Sequence, residues 1–114
     1  MRTYDDLCDV MRACGLPFAR ISWDPLDPDD IPPLPHVLLM PQRTRNQSAS
    51  DGISCHITPY NVELYVSGSN MALEGLVQAE LEDAGFCANR YTVPLGDGIN
   101  ETVWTGIDCL DSDY

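Results

Sequence analysis

Three groups of residues in this chain have types suited to chemistry: two histidines, five cysteines and an aspartate-rich stretch at 24–35. A zinc site needs three or four nitrogen, sulfur or carboxylate ligands gathered at one point. His36 and His56 fall on neighbouring strand-like runs, so the pattern predicts that they face each other. No third ligand accompanies them, and in an alternating strand Cys55 points away from His56. No two of Cys8, Cys14, Cys55, Cys87 and Cys109 stand in C-x-x-C spacing, and their number is odd. Most of them therefore read as buried free thiols acting as small hydrophobes. In 24–35, four aspartates alternate with five prolines, and no glycine or terminal glutamate stands where a calcium loop requires one. The same prolines form two P-x-x-P frames, Pro25 with Pro28 and Pro32 with Pro35, but no basic residue flanks either closely. The chain has no phosphate loop, no G-x-S-x-G elbow and no H-E-x-x-H helix. It reads as a non-catalytic protein with no metal site and no cofactor.

Charge narrows the partners. Eighteen acids against six bases give a net charge of −12, and all six bases are arginine. A surface of that sign does not grip nucleic acid, whose binding rests on cationic neutralisation of phosphates. It suits solubility, a basic protein partner, or a wall that DNA must pass without adhering. Met1 and Arg2 are followed by Thr3, Tyr4, Asp5 and Asp6 rather than by an apolar leader, which predicts a cytosolic chain. The longest apolar run, 37–41, is too short to span a membrane.

At 114 residues and 44% apolar composition, the chain should form a single domain, 1–114. Thr3 and Asp6 write a capping box ahead of Leu7, Val10, Met11 and Cys14, which recur with helical period. Gly15 and Pro17 stop that helix. A second helix over 71–84 carries Leu73, Leu76, Val77, Leu81 and Ala84 on one stripe and exits through Gly85. Short strands are expected at 18–23 and 36–42. Tyr60, Val62, Leu64 and Val66 alternate with Asn61, Glu63 and Tyr65, the period of a half-buried strand. Ile53, Cys55 and Ile57 alternate in the opposite phase, which places a bulge or bend near Pro59. Between them, 43–52 is polar and reads as the loop of a long hairpin. Strands at 89–95 and 102–110 flank Asp97-Gly98, a strong hairpin turn. The sum is an α+β fold: a largely antiparallel sheet of four or five strands, two helices packed on one face, and a protruding hairpin arm. Leu7, Val10, Met11, Val37, Leu39, Val62, Leu64, Leu73, Val77 and Leu81 form the expected core.

Several stretches resemble a known family. Leu16-Pro17-Phe18-Ala19 follows a short helix, and Pro32-Pro33-Leu34-Pro35-His36-Val37-Leu38-Leu39 leads into a strand. With the strand Tyr60-Asn61-Val62-Glu63-Leu64-Tyr65-Val66 and a helix ending in Ala84-Gly85-Phe86, they are similar to the tail-terminator or tail-completion proteins of siphophages and prophages. The likeness runs over nearly the whole chain in element order. One departure is charge, since the relatives are lysine-rich and this chain has no lysine. The resemblance implies a structural virion protein of the tail or neck, assembled in the host cytoplasm. Its copies would form a ring, expected to be hexameric, that caps the tail-tube protein and receives the head–tail connector protein. DNA would pass through the ring without being bound specifically, and no membrane would be involved. Arg43, Arg45, Asn46, Gln47 and Ser48 of the arm are the expected contacts to a neighbouring subunit or partner. Arginines on so acidic a protein are natural anchors for the acids of an identical neighbour. The alternative is a small acidic phage-encoded inhibitor that blocks a basic nucleic-acid site on a host defence enzyme. An inhibitor should gather its acids in one rigid patch, whereas here they are spread over loops, helix ends and the C-terminus.

Overall fold

The computed structural model describes residues 2–23, 31–48 and 54–110, with the backbone alone at 45–48, 54 and 55. Helix α1, Tyr4–Cys14, starts at the capping box read from sequence. The Thr3 N–H donates to Asp6 Oδ2 at 2.8 Å, and the Asp6 N–H donates to Thr3 Oγ1 at 3.3 Å. Gly15 ends the helix in the left-handed region at φ 71°. There a side chain would be strained, which is why glycine is the common exit. Strands β1, Phe18–Arg20, and β2, His36–Pro41, follow, then β3, Arg45–Ser48, and β4, Ser54–Ser67. Helix α2, Met71–Asp83, precedes β5, Asn89–Gly96, and β6, Ile99–Leu110.

The strands form a six-stranded sheet in the order β1-β2-β4-β6-β5, with β3 paired to the N-terminal part of β4. Only β1 and β2 run parallel; every other pairing is antiparallel. The sheet thus has one strand more than the sequence suggests. The extra strand is β3, which lies inside the polar stretch read as a loop. Arg45 pairs with Ile57, Asn46 with His56, Gln47 with Cys55 and Ser48 with Ser54. Backbone pairing needs no apolar side chain, so β3 left no hydrophobic period in the sequence. The molecule is elongated, 53 × 33 × 23 Å.

Both helices contribute to one core on one sheet face, as the strand and helix periodicities require. Leu7, Val10 and Met11 of α1 and Val77 and Leu81 of α2 join Val37, Leu39, Val62, Leu64, Val66 and Trp104 in one buried cluster. Leu73 packs against it half-buried. Leu76, assigned to the inner stripe by its spacing, is 40% exposed instead. Helix α2 is apolar over much of its circumference, so periodicity could not say which leucine turns outward.

The expected bulge falls close to Pro59, opposite Asn61, but not in the strand that carries the proline. β4 runs straight through that residue, pairing Ile57, Thr58, Pro59 and Tyr60 with Leu110, Cys109, Asp108 and Ile107. The irregularity lies across the sheet in β6, where Thr105 and Gly106 together oppose Asn61. Gly106 has φ 79°, a conformation open to glycine and the usual device of a bulged strand. Pro59 is tolerated because β2 ends at Pro41 and β3 begins at Arg45. Its carbonyl accepts from the Gln42 N–H at 2.7 Å, and the donor it lacks would have faced the same gap. Ile57, fully buried, belongs to the second face of the sheet, so its opposite phase was real while the inferred break was not.

Candidate functional site

The sequence places its candidate contacts on the arm, and the structure divides them. Gln42, Arg43 and Thr44 connect β2 to β3 and are exposed. The connection is pinned by the Gln42–Pro59 backbone bond and by a hydrogen bond between the Thr44 and Thr58 hydroxyls at 2.9 Å. Arg45, Asn46, Gln47 and Ser48 are the four residues of β3. Residues 49–53, which include the rest of the stretch read from sequence as the arm's tip, lie outside the described residues, as do 24–30 of the Pro/Asp stretch.

The two histidines do not meet. His36 pairs with Tyr65, and His56 with Asn46. No group of three or more His, Cys, Asp or Glu able to hold a metal occurs among the described residues. His36 instead sits between two rings, edge-on to Trp23 at 5.3 Å and tilted to Tyr65 at 5.5 Å. Its Nδ1–H donates to the Pro32 carbonyl at 3.0 Å. Cys8 and Cys109 are buried and Cys14 is half-buried, as small hydrophobes should be, but Cys87 is exposed. Burial pushes the Cys8 and Cys14 thiols up, away from the reactive thiolate.

The second face of the sheet, opposite the helices, was not singled out from sequence. Register places His36, Tyr65, Glu101 and Val93 in one row across it, and Leu38, Glu63, Val103 and Tyr91 in the next. The Tyr65 hydroxyl donates to Glu63 Oε1 at 3.0 Å. Burial pushes the Glu63 carboxyl above its ordinary value, the Tyr65 hydrogen bond offsets part of that, and neighbouring Glu101 adds to it. The Tyr65 hydroxyl is pushed up as well, first by burial and then by its carboxylate partners. β5 has its polar side toward the helices, through Arg90 and Thr92, and its apolar side, through Tyr91 and Val93, toward this second face. Tyr91 remains 50% exposed. A strand with that orientation leaves part of its apolar side uncovered.

The raised Glu63 pKa has a checkable consequence. A carboxyl whose folded pKa exceeds its unfolded value binds its proton more tightly in the native state. Its contribution is therefore fully favourable below the ordinary value of 4.5 and is lost as pH rises through the folded pKa. Glu63→Gln removes the titration and keeps an acceptor for Tyr65. Thermal melts from acid to neutral pH should give a variant more stable than wild type at neutral pH, with the gap closing in acid. A gap independent of pH would contradict this environment for Glu63.

Between the helices runs a groove of about 370 Å³ lined by Arg2, Asp6, Asp9, Val10, Ala13, Glu80, Asp83 and Ala84. Four carboxylates thus gather there, from two pairs that stand far apart in sequence. No helix among the described residues is long and apolar enough to cross a membrane.

Against known proteins, no family profile matches the chain, and no curated protein matches it either. Its fold does occur among solved structures. A chain of the virion of a native gene transfer agent (GTA) particle superposes with a TM-score of 0.58. The match covers 94% of this chain and 90% of that one at 12% identity. At that identity the likeness is one of fold.

Proposed function

We propose that the protein is a structural component of a phage-like virion, and more narrowly a ring-forming tail-terminator or tail-completion protein. In this role it caps the tail tube and offers a surface to the head connector, with the arm engaging a neighbouring subunit or partner. The observation that carries the reading is the fold likeness to a gene transfer agent virion chain, which spans nearly the full length of both chains. It agrees with the sequence resemblance to tail-completion proteins. The net charge of −12 fits a ring through which DNA moves. A negative lumen repels the phosphate backbone over about 8–10 Å at physiological salt.

A second reading, the acidic inhibitor of a basic nucleic-acid site, draws on the interhelical groove. Asp6, Asp9, Glu80 and Asp83 line one surface there, the kind of patch such an inhibitor would present.

Deleting the gene and examining the particles by electron microscopy separates the two. Overlong tails, or tails not joined to heads, are expected for a tail terminator. Wild type should rescue them, and a variant lacking 49–52 should not. Normal-length tails correctly joined to heads would sink the virion reading and leave the inhibitor.

A further inference from the structure

On one side the sheet ends in a strand that almost nothing covers. β5 forms the edge beyond β6, and of its eight residues only Val93 is even half-buried. Arg90 and Thr92 on the helix side are exposed, as is Tyr91 on the other, so the strand extends past the helical layer. Ladder bonds alternate along each strand, which fixes where the backbone of β5 points. The Pro59 carbonyl is turned toward β2, where the Gln42 N–H bonds it. Val62, Leu64 and Val66 therefore bond β6, the first two through Trp104 and Thr102 and the last through Asn100. Val103 and Glu101 are left to bond Tyr91 and Val93 of β5. The N–H and C=O groups of Arg90 and Thr92, with the Pro94 carbonyl, then point out of the sheet edge. The donor that Pro94 lacks falls on that outer side, where a strand tolerates proline.

Residues 24–30, 49–53 and 111–114 do not reach this edge. Thr92 stands opposite Thr102, eight residues before Leu110, which is about 26 Å at ~3.3 Å per residue. Residues 111–114 span at most about 14 Å. Residues 24–30 leave from Trp23, which packs on His36 of β2, and must return to Ile31. Out and back they extend about 14 Å. Three strand spacings from β2 to β5 already take up that length, so they end short of the outer side of β5. Residues 49–53 start farther off, beyond Ser48 and Ser54. Strand edges are commonly guarded by proline, a bulge or charge. Here Pro94 and the irregularity beside it guard only the turn end. The half from Asn89 to Val93 carries one charge, Arg90.

We propose that β5 pairs antiparallel with β5 of a second copy of the chain, across a two-fold axis at Thr92. Charge favours that occupant. On a chain of net charge −12, this strand holds no acid, so two copies meet here without the repulsion that the rest of the surface imposes. The strand is also complementary to itself. Thr92 meets its own copy and exchanges two backbone hydrogen bonds with it. The Arg90 N–H donates to the Pro94 carbonyl of the second copy, and symmetry repeats that bond, so the proline is accommodated. On the second face Tyr91 comes opposite Val93 of the second copy, an aromatic and β-branched pair of the kind that stabilises sheets. No two arginines stand directly opposite. A two-fold contact uses one patch twice and closes at two copies. Pairing through β5 does not depend on the tail-terminator reading. It also leaves the arm free, because β3 and β5 lie on opposite sides of β4.

Amide hydrogen exchange reads this contact residue by residue. In dilute full-length protein the Arg90 and Thr92 amides should exchange freely, while those of Tyr91 and Val93, bonded to β6, are protected. As the concentration rises into the millimolar range, sedimentation should show a dimer. Exchange at Arg90 and Thr92 should then slow by roughly tenfold or more, as protection follows closure of the pair. Thr92→Pro removes the central donor, and Thr92→Lys sets two cations opposite each other. Both act on an exposed edge position, so circular dichroism should match wild type while the dimer and the added protection are lost. If either variant loses the fold, the wild-type exchange pattern decides alone. A protein that stays monomeric at millimolar concentration would overturn the proposal and leave the edge to a strand of another protein. So would a dimer in which Arg90 and Thr92 still exchange freely, or one that survives both substitutions in folded form. A larger ring with those amides protected would overturn the two-fold and put a different strand of the neighbour on the edge. Protection of both amides in the dilute monomer would overturn it as well, by showing the edge covered within one chain. The gene-deletion phenotype is read separately, so the β5 pair can fail while the tail role stands, and the reverse.

Discussion

Replacing Trp104 by alanine is expected to destabilise the protein by about 3–5 kcal/mol, the range for removing a buried aromatic. Trp104 is fully buried at the middle of β6, opposite Val62 of β4 and Arg90 of β5. Its indole N–H donates to Gln78 Oε1 of α2 at 2.8 Å. One turn earlier on α2, Glu74 accepts from the Thr102 hydroxyl at 2.9 Å. The two bonds set the rotation of α2 on the sheet, while Val77 and Leu81 supply the apolar contact. Trp104→Phe keeps most of the volume and removes the donor, so it should cost less than alanine. The hydrogen bond itself contributes about 0.5–1.5 kcal/mol. Urea denaturation of the three proteins measures both steps. A loss for alanine below about 1 kcal/mol, far under the usual range for a buried aromatic, would mean that α2 does not sit on this residue.

The second large effect is expected at Leu64 and Leu81. Both are essentially inaccessible, one on the inward side of β4 and the other on the inner stripe of α2. Truncating either to alanine should cost about 2–5 kcal/mol, the transfer term plus the cavity left behind. β4 is flanked by β2 and β6, so the sheet has little freedom to close a void at Leu64. The α2 site has more, because the opposite side of that helix faces solvent through Gly75, Leu76 and Ala79. Leu64→Ala should therefore be the costlier of the two. Equal or reversed losses in equilibrium unfolding would show that the sheet relaxes as readily as the helix.

Much of this fold is written locally. The Thr3–Asp6 box, the Gly15 exit and the alternation of Tyr60 to Val66 each specify an element by chemistry confined to a few residues. The Asp97-Gly98 turn does the same: both residues have positive φ, 54° and 75°, as a tight two-residue hairpin demands. What stayed illegible depends on partners distant in sequence. β3 is a strand because β4 offers it a ladder. The bulge sits at Gly106 rather than Pro59 because the break between β2 and β3 excuses the proline. Glycine inside the 102–110 strand was the available signal, since such a residue often marks a bulge.

The functional surfaces follow the same division. Arg43 and Arg45 stood out because basic residues are scarce on an acidic chain. Glu63, Tyr65 and Glu101 did not, because alternation assigns them only to the outward side of their strands. Their burial and mutual contact follow from sheet order. The acids of the interhelical groove were likewise hidden, since Asp6 and Asp9 meet Glu80 and Asp83 only once α1 and α2 are side by side.

The position of β6 governs how the molecule must come into being. It lies between β4 and β5 in the sheet yet follows both in the chain, and its end at Leu110 is tied back to Arg2 by a 2.8 Å backbone bond. As the ribosome extends the chain, β4 and then β5 emerge with an unpaired edge, and the interior of the sheet stays open until its missing middle arrives. Such long-range closure is slow compared with helix formation, and unpaired edges are the places where nascent chains stick to one another. The order of synthesis thus makes the arrival of the Thr102–Trp104 segment the moment at which the subunit becomes safe from its neighbours.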